Sequence, residues 1–159
     1  MTLLYDRFDS PLGPLTVAAS ERGIAHVLFE HSVRRPAGEP GWRHAPDALA
    51  GARAQLQAWL AGDRQQFDLP LDLHGTAFQL GVWQVLARLP YASTTSYRDV
   101  AVAIGQPAAF RAVGMAVGRN PVPLLLPCHR VLASGGGLGG FSGGLAIKRQ
   151  LLALEQVRR

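Results

Sequence analysis

The sequence predicts an α+β protein in two domains. Residues 1–74 carry an antiparallel sheet with a helix, and residues 75–159 are mostly helical with a helix-turn-helix. Three observations lead there. Up to Phe29 apolar residues alternate with the period of a half-buried strand, whereas after His74 they recur at the three- and four-residue spacing of a helix face. Two of the later helical runs also meet across a Gly-Gln-Pro turn, the outline of a helix-turn-helix.

The elements follow in order. "LLYDRF", "PLTVAAS" and "GIAHVLF" read as strands, and the short turns "DSPLGP" and "SERG" between them make an antiparallel meander. "HSVRRPAGEPGW" reads as a surface loop. Leu49, Ala52, Leu56 and Leu60 recur at helical spacing between Pro46 and Ala61, with Gly62 as the stop. "FDLPLDL" reads as a short edge strand, because Pro70 has no N–H to give a ladder. In the second half Thr76 and Gln79 form a capping box, followed by an apolar face of Phe78, Val82, Val85, Leu86 and Leu89. A second box, Ser96 with Asp99, opens "SYRDVAVAI"; Gly105-Gln106-Pro107 ends that helix, and "AAFRAVGMAVGR" begins another. An ordinary helical hairpin has the same pattern. "SGGGLGGFSGG" is a glycine-rich loop, and "LAIKRQLLALEQVRR" is a terminal helix.

Composition narrows the function. With 159 residues, 48% hydrophobic and 17% charged, the chain has the makings of a globular core. No apolar run is long enough to span a bilayer and no secretory leader opens the chain, so a cytoplasmic location is expected. A single cysteine excludes an internal disulfide and CxxC metal sites, and no metal or cofactor is expected. The formal charge of +5 suits a polyanionic partner, nucleic acid first, and all the cations but Lys148 are arginines, whose forked donors match phosphate.

The sole thiol, Cys128, stands in "PVPLLLPCHRVL". A free cysteine is most often a small buried hydrophobe. Against that, Pro127 breaks any helix through the leucines, and His129 and Arg130 are poor company for a wholly apolar core. A nearby helix N-terminus or an imidazolium would lower the thiol pKa and favour the nucleophilic thiolate. Glu155 lies four residues after Leu151 and three after Leu152, on the apolar stripe of the terminal helix. It either meets a buried partner such as His129, fixing its tautomer, or faces solvent from a frayed end.

These residues resemble the O6-alkylguanine-DNA alkyltransferases. "PCHRV" preceded by "GRNPVPLLL", with "SYRDVA" and "RAVG" upstream and "GFSGGLAIKRQLLALE" downstream, is similar to that family from about Phe78 to Glu155. The resemblance implies a ribonuclease H-like N-terminal domain and a C-terminal domain that flips O6-alkylguanine from double-stranded DNA and transfers the alkyl group irreversibly to Cys128. His129 would act as base through a water, oriented by Glu155, with Asn120 in the turn before the active-site strand. Tyr97 would hold the flipped base and donate toward its ring. Ser142 would contact O6 beside Phe141, and the main chain at Val131 would meet the exocyclic amine. Arg111 would enter the vacated stack, with Ala112, Gly114, Thr95, Ser96 and Arg119 toward the DNA. A monomer is expected; O4-alkylthymine as a second lesion and cooperative binding are left open.

Two positions depart from the family pattern: Phe110 stands where a small residue is expected before Arg111, and Phe141 replaces the commoner tyrosine before Ser142. The family's zinc site is not supported, since the lone cysteine is already assigned and His74 reads as a boundary-loop residue. Three rival readings remain: a non-catalytic alkyltransferase-like lesion binder, which would lack the acceptor cysteine; a Cys-His hydrolase, which would need an acyl substrate and turnover; and a transcription regulator, which would leave Glu155 without a role.

Overall fold

A computed structural model describes residues 2–32, 35–135 and 137–157 of the chain. Contacts divide it into two compact units, Met1–Leu73 and His74–Arg159. Part of the "HSVRRPAGEPGW" segment (Val33, Arg34), Gly136 of "SGGGLGGFSGG", and Arg158 and Arg159 of "LAIKRQLLALEQVRR" lie outside the described residues.

In the first unit β1 (Leu4–Phe8), β2 (Leu15–Ala19) and β3 (Ile24–Phe29) form the antiparallel meander. A fourth strand, β4 (Arg43–His44), adds to β1 in parallel, so the order is β3-β2-β1-β4. Two residues are too few to show an alternation, and sequence periodicity did not reveal this strand. "FDLPLDL" forms a single bridge, Leu71 with Ile24, rather than an edge strand. Only the carbonyl of Pro70 and the N–H of Asp72 reach Ile24, because proline interrupts the donor series.

The helix α1 runs Ala50–Ala61, not from Pro46; residues 46–49 close on three-residue turns, Ala48 to Ala45 and Leu49 to Pro46. Gly62 ends it as expected, and Ala52, Leu56, Trp59 and Leu60 are its buried face. Alternation along β1 puts Asp6 on the buried side with Phe8. Burial raises the Asp6 pKa, but hydrogen bonds from Arg53 and His44, 3.2 Å each, and from the Arg7 N–H more than offset it and hold the carboxyl below its usual value.

The second unit begins with α2 (Ala77–Ala87), closed at its head by the reciprocal Thr76–Gln79 capping box. It buries Val82, Trp83 and Leu86, and the Trp83 indole N–H donates to the Ala116 carbonyl at 2.9 Å, tying α2 to α4. Leu89, assigned to the same face, lies past the helix end. The helix-turn-helix comprises α3 (Tyr97–Ala103) and α4 (Phe110–Gly118), joined through Gly105 and a single turn at Pro107–Ala109. Ser96 caps α3 by accepting from the Asp99 N–H. β5 (Thr95–Ser96) pairs in parallel with β6 (Val131–Leu132), and α5 spans Leu145–Val157. Among the described residues, no helix is long and apolar enough to cross a membrane.

Candidate active site

The β5–β6 pair brings two separated segments together: Tyr97 follows β5, and Cys128–Arg130, a single tight turn, precedes β6. Asn120 builds that turn. Its side-chain amide donates to the Leu126 carbonyl at 2.8 Å, its oxygen accepts from the Val122 N–H at 2.9 Å, and the same side chain hydrogen-bonds the Cys128 sulfur.

Cys128, His129 and Arg130 are all buried, and the group that makes this possible is Glu155. Its Oε2 accepts from His129 Nε2 at 2.6 Å and from Arg130 at 2.8 Å, while Oε1 accepts from the Ala92 N–H and from Arg130 Nε, both at 3.0 Å. Arg130 also donates to the Leu89 carbonyl at 2.6 Å. Ala92 holds φ +63, a left-handed conformation uncommon for alanine, as it offers its N–H to the carboxylate. Of the two placements the spacing left open for Glu155, the structure has the buried one.

Burial raises the Glu155 pKa, yet the hydrogen bonds from His129 and Arg130 prevail and bring it to about 2. Burial lowers the pKa of His129, with Glu155 pulling the other way. Arg130 already neutralises the carboxylate, so the imidazole stays neutral, and donation through Nε2 makes Nδ1 the basic nitrogen.

The thiol itself departs from expectation. Burial pushes Cys128 up to about 11, against the opposing pull of Asn120 and of the Lys148 charge. The tight turn at Cys128 supplies no helix long enough to lower it, and the neighbouring imidazole is neutral. The resting site therefore holds a protonated thiol beside a neutral base, and the proton must leave when the sulfur reacts.

Lys148 escaped the sequence reading. Its ammonium, fully buried, donates to the carbonyls of Val131 at 2.7 Å, Gly140 at 3.2 Å and Leu138, which satisfies its three donors and anchors the glycine-rich loop to β6. The signal was present: Lys148 lies three residues before Leu151 and seven before Glu155, on the same stripe. Burial lowers its pKa, and the Cys128 charge opposes that. The Val131 carbonyl keeps a second lone pair for another donor.

Tyr97 lies between this loop and α4. A Cβ on Gly114 would stand 3.8 Å from the Tyr97 ring, and one on Gly139 would stand 2.5 Å from its hydroxyl oxygen. Gly114 thus opens toward Tyr97. Burial raises the Tyr97 pKa, the Gly140 N–H opposes this, and a thiolate at Cys128 would raise it further, so the hydroxyl remains a donor at neutral pH. Ser142 and Phe141 are half-buried at the end of the same loop.

The exposed Arg111, Ala112 and Met115 of α4 share one face with Arg119 at its C-cap. Ala112, Met115 and Arg119 line, with Thr76, Phe78 and Gln79, an open groove of about 270 Å³ beside the head of α2. Among the described residues no group of three or more His, Cys, Asp or Glu side chains is arranged to hold a metal ion.

Residues 3–73 match the family model of the ribonuclease-like domain of 6-O-methylguanine DNA methyltransferase, and residues 77–157 match that of its DNA-binding domain. A methylated-DNA-protein-cysteine methyltransferase of Methanosarcina barkeri is 42% identical over 154 residues, 97% of this chain and 98% of the relative. Its counterpart in Mycolicibacterium paratuberculosis is 44% identical over 152 residues, 96% and 92% of the two chains. The crystal structure of Mycobacterium tuberculosis OGT in complex with DNA superimposes with a TM-score of 0.91 at 43% identity, covering 98% of this chain and 94% of that one. With Cys128 and His129 buried in the turn before β6, Glu155 of α5 bonded to the histidine, and both domains matched along their length, the chain belongs to the methylated-DNA-protein-cysteine methyltransferases, the 6-O-methylguanine DNA methyltransferase family.

Proposed function

We propose that Cys128 takes the alkyl group from O6 of a guanine flipped out of double-stranded DNA, once per protein molecule. The observation that carries this is the relay beside the thiol, His129 Nε2 held 2.6 Å from the ionised Glu155. His129 Nδ1 receives the thiol proton through a water; the sulfur lone pair forms the S–C bond as the C–O6 bond breaks; and the electrons return to the guanine ring, which Tyr97 assists by donating a hydrogen bond. Asn120 holds the sulfur. Val131 and Ser142 line the base pocket, with Phe141 as its wall.

Arg111 fills the space the nucleotide leaves, and Thr95, Ser96, Ala112, Gly114 and Arg119 make up the surrounding DNA surface. Alkylation at O6 removes the N1 proton and weakens pairing, so extrusion costs less than the few kcal/mol of a sound base. The partner is double-stranded DNA carrying O6-alkylguanine, the protein acts as a monomer without cofactor or metal, and it works in the cytoplasm.

The product is a thioether, which has no leaving group that water could expel, whereas an acyl-thioester would hydrolyse. Incubation with excess methylated DNA is therefore expected to add one methyl group, on the peptide containing Cys128, and then to stop. Cys128→Ser binds the lesion and leaves it intact. Repair of several lesions per molecule, or methylation elsewhere, overturns the proposal. Arg111→Ala is expected to slow repair in duplex DNA far more than reaction with free O6-benzylguanine, and equal losses would assign Arg111 a structural role instead.

A further inference from the structure

Phe110, the large residue at the head of α4, does not belong to the core: its ring is half-buried and two guanidinium groups gather on it. Arg98 of α3 lies over the ring with its guanidinium carbon 4.2 Å from the centroid, and that of Arg111 is at 5.9 Å, near the limit of a cation–π contact. Both arginines are exposed. Two like charges drawn to one small ring repel each other, and the arrangement is favourable only because the aromatic face carries negative charge density. An anionic partner relieves that repulsion, and a phosphate backbone supplies it.

We propose that Phe110 is a positioning residue for repair in duplex DNA: its ring orders Arg98 and Arg111 so that the phosphate backbone and the vacated base stack meet guanidiniums already in place. This rests on the reading of Arg111 given above. An arginine free in solution samples many rotamers and loses that freedom on binding; one resting on an aromatic ring has lost part of it beforehand. Phe110 itself touches neither the thiol nor its relay, so the effect belongs to the duplex substrate alone.

The test uses Phe110→Leu, which keeps apolar bulk but removes the ring, and Phe110→Tyr, which keeps the ring. Each is assayed for single-turnover transfer from methylated duplex at sub-saturating concentration and from free O6-benzylguanine. Phe110→Leu is expected to slow the duplex reaction about three- to tenfold while the free-base rate stays within about twofold. Phe110→Tyr is expected to match the wild type on both substrates. In an Arg98→Ala/Arg111→Ala background, Phe110→Leu is expected to add less than about twofold, since nothing remains for the ring to position.

A wild-type duplex rate in Phe110→Leu, an equal loss on the free base, a tyrosine variant as slow as the leucine one, or a full additive loss in the double-alanine background would each overturn the proposal. Failure of the Arg111 reading is separate: it shows as equal losses on the two substrates for Arg111→Ala in an otherwise unchanged protein.

Discussion

Glu155 accepts from four donor groups on its two oxygens, Arg130 Nε reaching both, and balances the charge of a buried arginine. The substitution Glu155→Gln therefore does more than weaken a relay. It leaves Arg130 buried without a counter-charge, and breaking a buried pair in this way costs on the order of 3–5 kcal/mol. The variant is expected to unfold at a markedly lower denaturant midpoint and to transfer the alkyl group slowly even where it is folded. Its thiol should titrate below that of the wild type, because the variant removes a buried negative charge and leaves the Arg130 cation unopposed near the sulfur, beside an imidazole that is neutral in either protein. Unchanged stability together with an unchanged pH profile for Cys128 alkylation would remove Glu155 from both roles. Glu155 stood out in the sequence because a carboxylate on an apolar stripe asks for a partner, though spacing left its burial open, and Lys148 on the same stripe escaped that reading. Arg130 as the neutralising partner did not stand out, since adjacency to His129 along the chain says nothing about which carboxylate a guanidinium reaches.

Among the elements, the glycine-rich loop meets α3 at Tyr97. Gly139 has φ +70, and an added Cβ would come within 2.5 Å of the Tyr97 hydroxyl. Gly135, in the same loop, has φ +88 but nothing within 4 Å of such a Cβ. Gly139→Ala and Gly135→Ala thus carry similar backbone strain, of order 1–3 kcal/mol, but only the first displaces Tyr97. Gly139→Ala is expected to slow transfer from free O6-benzylguanine at least about tenfold, a loss of about 1.4 kcal/mol, with Gly135→Ala near the wild-type rate. Equal rates in the two variants would remove the Tyr97 hydroxyl from the reaction. Both helix starts were legible from their capping residues, because a cap is a local hydrogen bond between a side chain and a nearby N–H. The lone bridge at Leu71 and the parallel β4 were not, because a strand needs a partner that local sequence does not specify.

For the molecule as a whole, Glu155, His129 and Asp6 all release protons more readily in the fold than in the unfolded chain. Stability from His129 is complete above its ordinary value of 6.5 and is lost as the pH falls through its lower folded value. The Glu155 contribution is complete above 4.5 and is lost as the pH falls toward about 2, a difference of about 3 kcal/mol. Denaturant midpoints measured at pH 7, 5 and 3 are expected to fall in that order, more steeply below pH 5. A midpoint constant across this range would mean that the buried relay titrates no differently folded and unfolded.

The sequence by itself determined the meander and its strands, the two capped helix starts, the helix-turn-helix outline, and the adjacency of Cys128 and His129, since each depends on spacing along the chain. Only the tertiary structure decided the state of the thiol. Neighbours in sequence suggested a lowered pKa, but a pKa is set by burial and by groups brought in from elsewhere: the Asn120 side chain from the preceding turn and the Lys148 charge from α5. Likewise Phe110 stood out in sequence as a residue of unexpected size, and packing of α3 beside the head of α4 brought Arg98 onto its ring. Desolvation and cation–π attraction both act through space over a few ångströms, and folding alone determines which groups share that space.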